Sequence, residues 1–375
     1  MDEARENHRK PPPAEPGSEG DERLGALRVR IDAVDAQLLE LLNRRAAIAQ
    51  EVGELKRETN APVFRPEREA QVLARVRERN AGPITDEGAV AIFREVISAC
   101  RELERRQRVA YLGPAGTFSE QAMTAFFGSG IETIACPTID EVFRSTESGG
   151  ADFGVVPVEN SSEGAVNRSL DLMLQTPLRI CGETSIAVRH NLMSRTGALA
   201  DVRRICAHPQ ALAQCLGWLD RNCPGVERTP VASNAEGARM AAENPGVAAV
   251  AGDAAATRYG LNVVAAGIQD DPNNRTRFAI LGRYDCDPSG ADQTSLILSV
   301  PDRAGAVHAL IEPLARHGVS MKRFESRPAR HGTWEYYFYI DVIGHQRDDK
   351  LAAALVDLRH NAAYFKVVGS YPRAS

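Results

Sequence analysis

The sequence contains no apolar run long enough to cross a bilayer, no cysteine pair in CxxC spacing and no block of like charge. A membrane span needs about 20 consecutive apolar residues, so no membrane partner is expected. The seven cysteines (Cys100, Cys136, Cys181, Cys206, Cys215, Cys223 and Cys286) form an odd, scattered set without metal-ligand spacing. That pattern argues for free thiols in a reducing, cytoplasmic setting and against a metal site. The formal charge of -5 is mild, and basic stretches interleaved with aromatics are missing, which excludes an electrostatic nucleic-acid binder. An anionic substrate must then be met by local cations. Residues 1–22 hold charges and Pro11, Pro12, Pro13 and Pro16 but no apolar core of the kind a signal peptide has; they read as a disordered tail.

What is present is the composition of a globular protein, 43% apolar and 25% charged, over 375 residues. That length exceeds one ordinary core and predicts two to four domains.

Residues 26–52 contain neither Gly nor Pro. Leu24, Leu27, Ile31, Val34, Leu38, Leu41, Ile48, Val52 and Leu55 recur in alternating steps of three and four, a coiled-coil-like seam. Arg45 occupies the seam position between Leu41 and Ile48, where a guanidinium needs an anion or a route to solvent. Lys56 lies about 20° around the helix from Arg45, so the two cations share a face. Arg28 is about 100° off that face and roughly 25 Å away along the axis. If all three serve one site, Arg28 must come from a second copy of the chain. Pro66 suits the first turn of a second helix carrying Arg68 and Glu69. Thr85 suits the cap of a third helix with the stripe Val90, Phe93, Ile97, Cys100 and Glu104. Arg45 and Glu104, both on seams, could be each other's partners.

The segments LRVRIDAVDAQLLELLNRR, VGELK, PEREAQVL and IFREVISACRELE resemble the all-helical chorismate mutase family. The resemblance implies an intertwined homodimer whose sites each borrow an arginine, and a site of Arg28 (from the second copy), Arg45, Lys56, Arg68, Glu69, Cys100 and Glu104. The implied reaction is an intramolecular rearrangement that needs positioning and charge stabilisation but no nucleophile. Arg28 and Arg45 would clamp carboxylates, with Lys56 and Glu104 flanking the ether oxygen. Some relatives have Gln where Glu104 stands, and a carboxyl donates a hydrogen bond only when protonated. Mutase activity is therefore expected to fall with rising pH, less so in Glu104→Gln. Cys100 stands where some relatives have Ser, and Arg65 where some have Asp.

From about residue 108 short apolar strands alternate with helices, an α/β pattern. Strands are expected at 109–112, 154–158, 186–188, 204–207 and 278–281, and helices at 119–127 and 166–174. Polar residues recur just past strand ends, where open α/β sheets bind ligands: Gly116 and Thr117, then Glu159 and Asn160, then Arg189, His190 and Asn191, then His208. His208 and Pro209 read as the start of a helix carrying Gln214. The stretch GIQDDPNNRTRFAILG over 267–282 feeds a polar loop into a core strand, a rigid support for reactive side chains.

GPAGTFSEQA, VPVENSSEGAVN, HPQALAQC, AAVAGDAAATRYGL and NNRTRF resemble, in that order, the prephenate dehydratase family. The resemblance implies two α/β lobes like a solute-binding protein, with the site in the cleft. Thr276 would stand beside the leaving hydroxyl, oriented by Asn160 and Gln214, with Glu159 near the substrate and Thr117 and Arg277 on carboxylates. A threonine is a poor general acid, so positioning is its expected part.

The end of the chain alternates as strand 294–300, helix 306–317, strands 319–324 and 334–342, helix 349–359 and strand 365–368, a ferredoxin-like β-α-β-β-α-β order. It resembles the ACT regulatory domain that senses phenylalanine. The ESRP motif is intact as Glu325, Ser326, Arg327 and Pro328, and the Gly-Ala-Leu-Val motif is half kept as Gly305, Ala306 and Val307, followed by His308. A purely dimerising module is the alternative.

The expected architecture is therefore multidomain: a 1–22 tail, an all-α domain at 23–106, a two-lobed α/β domain at 108–284 and a ferredoxin-like α+β domain at 292–375. Its substrates would be chorismate and prephenate, its effector L-phenylalanine, and no metal or organic cofactor is called for. The alternatives are a non-catalytic amino-acid sensor and a dehydratase preferring the aminated substrate arogenate.

Overall fold

A helix of 40 residues, α1 (Glu19–Glu58), opens the part of the chain that the computed structural model describes, which comprises residues 19–59, 62–300, 303–328 and 336–374. It begins inside the segment expected to be tail, the rest of which lies outside the described residues. α2 (Pro66–Arg79) starts on its proline with Glu67 and Glu69 in the first turn, where the helix dipole favours acids. α3 (Asp86–Glu104) is capped by Thr85, whose hydroxyl accepts from Gly88 N at 3.1 Å.

The seam of α1 is not core in this chain: Leu27, Val34 and Leu41 remain 50%, 60% and 61% exposed. Phe93, expected on the buried stripe of α3, is 41% exposed, while Val90 and Cys100 are buried. Gly53 is tolerated inside α1 because α3 crosses there. A Cβ on it would stand 2.9 Å from Glu104 Cγ.

The middle segment forms two lobes. The first sheet has the strand order Ile131–Cys136, Gln107–Leu112, Phe153–Asn160, Arg275–Gly282 and Arg179–Ala187, with Gly164–Ala165 beside Phe153–Asn160. The second runs Asn262–Ala265, Asn191–Ser194, Val247–Ala251, Arg204–Ala207 and Glu227–Pro230. The chain leaves the first lobe through residues 188–190 and returns through 266–274. Val188 N donates to Asn274 O and Ile268 N to His190 O, each at 2.8 Å, which ties the two crossings side by side.

The last domain has four antiparallel strands in the order Met321–Pro328, Tyr336–Ile343, Asp292–Ser299 and Tyr364–Pro372. Leu296, Leu298, Phe338 and Ile340 on one face pack with Leu310, Leu314 and Leu358 of the helices Ala306–Arg316 and Asp349–Asn361. The expected order of elements is thus present, although Trp334 lies outside the described residues. Ile297, Tyr339, Val368 and Tyr371 on the other face join the core of the first lobe with Ile180, Ala279 and Leu281. That docking is close. A Cβ at Gly369 would stand 2.1 Å from Ile180 O, so only glycine fits.

The opposite face of the first lobe receives the helical domain. Phe64, just before α2, is 3% exposed and packs edge-on against Phe126 and Phe153. No described helix is long and apolar enough to cross a membrane.

Candidate active sites

In the helical domain α1 and α3 bring Lys56 and Glu104 together. Lys56 Nζ lies 2.9 Å from Glu104 Oε2 and 2.8 Å from Val63 O, and the Glu104 side chain is only 9% exposed. Glu104 therefore answers Lys56 rather than Arg45. Arg45 makes no ion pair among the described residues and reaches only Val96 O, at 3.5 Å. It is left with donors for an anion. Cys100 is buried one turn before Glu104. Arg28 and Arg68 are exposed, and the continuity of α1 keeps Arg28 about 25 Å from Arg45.

Glu69 is engaged differently. Its Oε2 is 2.9 Å from Arg101 Nη1. Burial pushes the Glu69 carboxyl up, against the pull of Arg101, Arg94 and Arg45. Arg101 in turn donates to Phe127 O and lies 4.4 Å over the Phe64 ring, which fastens α3 to the first lobe. Arg101 was not singled out in the sequence, because its partners come from two distant segments, around the start of α2 and at Phe127.

Between the lobes lies a cleft of about 420 Å³ lined by Thr117, Asn160, His190, Gln214, Ser233 and Thr276 among others. The strand register sets Thr276 directly opposite Asn160. Asn160 Nδ2 lies 2.9 Å from Thr276 Oγ1 and 2.8 Å from Asn274 Oδ1. Asn160 Oδ1 accepts from Ser162 N at 3.0 Å, which fixes which end of the amide is which. From the second lobe Gln214 Oε1 meets His190 Nε2 at 3.0 Å, and Gln214 Nε2 meets Glu163 Oε1 at 3.1 Å. His208 caps its helix, with Nδ1 accepting from Gln210 N at 3.3 Å, as its place before Pro209 suggests.

The local cations expected for an anionic substrate do not line this cleft. Among the described residues its lining includes no Asp, Glu, Lys or Arg. Positive potential comes instead from two helix N-termini, one from each lobe. Thr117 caps Phe118–Phe127 and Ser233 caps Asn234–Glu243. The Thr117 hydroxyl is committed, since it accepts from Glu120 N at 3.4 Å and faces Leu112 O at 3.2 Å. It shapes the helix start.

Glu159 and Arg277 sit outside the cleft lining. Successive strand residues point to opposite faces, so with Asn160 and Thr276 facing inward their neighbours face away. Arg277 lies 2.7 Å from Glu183 Oε2, 2.6 Å from Asp341 Oδ2, 3.1 Å from Tyr371 Oη and 3.5 Å from Glu159 Oε2. Burial opposes its charge, but Tyr371, Asp341 and Glu183 outweigh it and its pKa is raised. The pair belongs to the junction with the last domain.

There Gly305, at φ +78, starts the helix that buries Ala306 and leaves Val307 39% exposed. Glu325, Ser326, Arg327 and Pro328 lie on the edge strand Met321–Pro328. Arg327 turns back to the first lobe, donating to Asn167 O at 2.6 Å and pairing with Asp171 at 3.1 Å.

The prephenate dehydratase family model matches residues 109–286, the type II chorismate mutase model 27–105 and the ACT domain model 294–360. A bifunctional chorismate mutase/prephenate dehydratase of Neisseria gonorrhoeae is 48% identical over 357 residues, covering 94% of this chain and 98% of the relative. A solved prephenate dehydratase of Arthrobacter aurescens in complex with L-Phe is 34% identical, with a TM-score of 0.66 over 71% of this chain and 90% of that one. A further structure, described as a quorum-quenching acylase, is 31% identical with a TM-score of 0.65, covering 72% of this chain and 98% of that one. The two-lobed fold by itself thus does not fix the reaction.

Proposed function

The chain belongs to the bifunctional chorismate mutase/prephenate dehydratase family, and on that footing we propose how its parts divide the work. It is an enzyme of phenylalanine biosynthesis that rearranges chorismate to prephenate and converts prephenate to phenylpyruvate, with a regulatory ACT domain at its end. In our division residues 23–106 carry the mutase, 108–284 the dehydratase and 292–375 the effector domain. A cytoplasmic location fits seven free, buried cysteines.

In the mutase Arg45, which has no ion pair among the described residues, takes one substrate carboxylate, with Arg68 at hand on α2. Lys56 and Glu104 flank the ether oxygen, with Cys100 beside them; Glu69 holds the wall through Arg101. Arg28 serves the site of a second copy. The exposed α1 seam supports that homodimer, because an apolar stripe of this length is costly to leave in water.

In the dehydratase the bond from the ring to its carboxylate breaks, and its electron pair completes the aromatic ring as the opposite C–O bond releases hydroxide. The Asn160–Thr276 pair, 2.9 Å apart in an uncharged cleft, is the observation that carries this reading. Asn160 orients the Thr276 hydroxyl toward the departing oxygen, and the two helix N-termini receive the carboxylates. Among the described residues the cleft lining offers no acidic side chain, and the Glu163 carboxylate beside it is taken by Gln214, which favours the keto acid prephenate over arogenate with its ammonium. The ACT domain, through Gly305, Ala306, Val307 and Glu325 to Pro328, takes L-phenylalanine as its effector.

The test supplies chorismate alone to the purified full chain and follows prephenate and phenylpyruvate, with and without phenylalanine. Both products, the second suppressed by phenylalanine, are expected. Prephenate accumulating without phenylpyruvate, together with turnover of arogenate, would overturn the substrate assignment.

A further inference from the structure

One buried ionisable side chain in the cleft has no part in the roles above. His190 is 2% exposed and sits where the chain first crosses between lobes. Its backbone is pinned on both sides, with N donating to Gln269 Oε1 at 3.0 Å and O accepting from Ile268 N at 2.8 Å. Its ring meets the Phe118 ring edge-on at 5.6 Å, and Nδ1 has no hydrogen-bond partner among the described residues.

The proton positions follow from the neighbours. As a carboxylate, Glu163 can only accept, so Gln214 must offer it the NH2 end of its carboxamide. Oε1 then faces His190, and His190 must donate from Nε2. Nδ1 is left as a bare lone pair. This agrees with its lack of a partner, since a second N–H there would be buried without an acceptor. Burial also lowers the imidazole pKa, against the opposing effect of the Gln214 hydrogen bond.

We propose that His190 is a positioning residue of the dehydratase, whose neutral Nε2–H tautomer locks the Gln214 carboxamide with its second N–H turned toward substrate oxygen. The oxygen in question is the departing ring hydroxyl or the ring carboxylate. A flipped carboxamide would set Oε1 against it and replace attraction with repulsion. The inference rests on the dehydratase reading, in which Gln214 orients the reacting groups.

The test measures prephenate turnover by full-length parent, His190→Leu, His190→Gln, Gln214→Leu and the double variant His190→Leu/Gln214→Leu. Gln reaches with its amide nitrogen to about the position of the imidazole Nε2. His190→Leu should lose about tenfold in kcat with a smaller change in KM, the size expected for one hydrogen bond. His190→Gln should recover most of that loss, and His190→Leu should cost little more once Gln214 is already Leu. A retained KM reports an intact cleft. Parental kcat in His190→Leu, equal impairment of the Leu and Gln variants, or losses that multiply in the double variant would each overturn the proposal while leaving the dehydratase reading in place. A parent that does not turn over prephenate would sink both.

Discussion

Replacing Gly53 with Ala sets a gain in helix stability against a loss of catalytic geometry. In a helix interior Ala is favoured over Gly by about 1 kcal/mol. At this position the new Cβ would stand 2.9 Å from Glu104 Cγ, 3.2 Å from its Cβ and 3.5 Å from its Cα. Carbon atoms prefer about 3.5–4.0 Å, so α1 and α3 must separate, or the Glu104 side chain must swing, by roughly 0.5–1 Å. Overpacking of this kind costs about 1–3 kcal/mol, so the net stability change lies between roughly zero and 2 kcal/mol of destabilisation. The 2.9 Å contact between Lys56 and Glu104 has no such compensation. A misplacement of about 1 Å can cost about 100-fold in rate, so mutase kcat should fall roughly 10- to 100-fold. The assay follows chorismate loss and, in the same preparation, turnover of added prephenate, with a thermal melt alongside. Mutase should fall while dehydratase stays within about twofold of parent, since the change lies outside its cleft. Parental mutase kcat in a folded Gly53→Ala would refute the assignment of Lys56 and Glu104 to the reacting centre.

Thr276→Val keeps the shape but removes the hydroxyl that Asn160 orients; dehydratase kcat should drop about 100-fold or more while mutase is untouched, and a near-parental rate would reject Thr276 as the group beside the leaving oxygen. Lys366→Met removes an ammonium that reaches Met173 O, Leu174 O and Thr176 O at 2.8, 3.2 and 2.6 Å; half-maximal inhibition should then need several-fold more phenylalanine, with basal turnover close to parent, and an unchanged inhibition curve would count against it. Burial holds the folded His190 pKa below its unfolded value of about 6.5, so its contribution to stability is full above that pH and is lost as pH falls toward the folded pKa. The melting temperature of the parent should accordingly fall more than that of His190→Gln between about pH 7 and pH 5.5, and parallel falls would argue against a buried neutral imidazole.

Much of this was legible because local rules and tertiary packing agree. The Gly- and Pro-free seam announces α1, Pro66 and Thr85 mark the starts of α2 and α3, and the β-α-β-β-α-β order survives intact. The same seam pattern describes a buried helix and a helix awaiting a second copy, so the exposure of Leu27 and Leu41 was not readable. Nor was the choice of Lys56 over Arg45 as the partner of Glu104, which depends on where α1 and α3 cross. The pairing of Asn160 with Thr276 spans 116 residues and follows from strand register, which no local signal carries. One feature of the placement was readable in advance. Thr276 and Arg277 are adjacent in a strand, as are Glu159 and Asn160, and period-two alternation forbids both members of either pair from facing one cleft. His190 and Asn274 did stand at strand ends rich in polar residues, but their partners come from other segments or the other lobe.

The helix Asn167–Gln175 explains why Lys366 is the informative regulatory variant. It begins just after the turn that follows Asn160 and carries Glu163, and its capping residue Val166 lines the cleft. The ACT sheet holds it along its whole length of about 13 Å. Arg327 binds its first turn, the Tyr339 hydroxyl lies 2.9 Å from Leu170 O, and Tyr364 and Lys366 take the carbonyls at its end. A shift of the sheet must therefore carry the helix and the preceding loop with it, and that loop supplies Glu163, the first-lobe anchor of Gln214. Arg327 belongs both to this grip and to the ESRP motif, so its loss would confound effector binding with transmission. Among the described residues the Lys366 ammonium donates to the helix end alone, far from that motif along the chain, and its removal slackens the link while leaving the effector motif and the cleft residues in place.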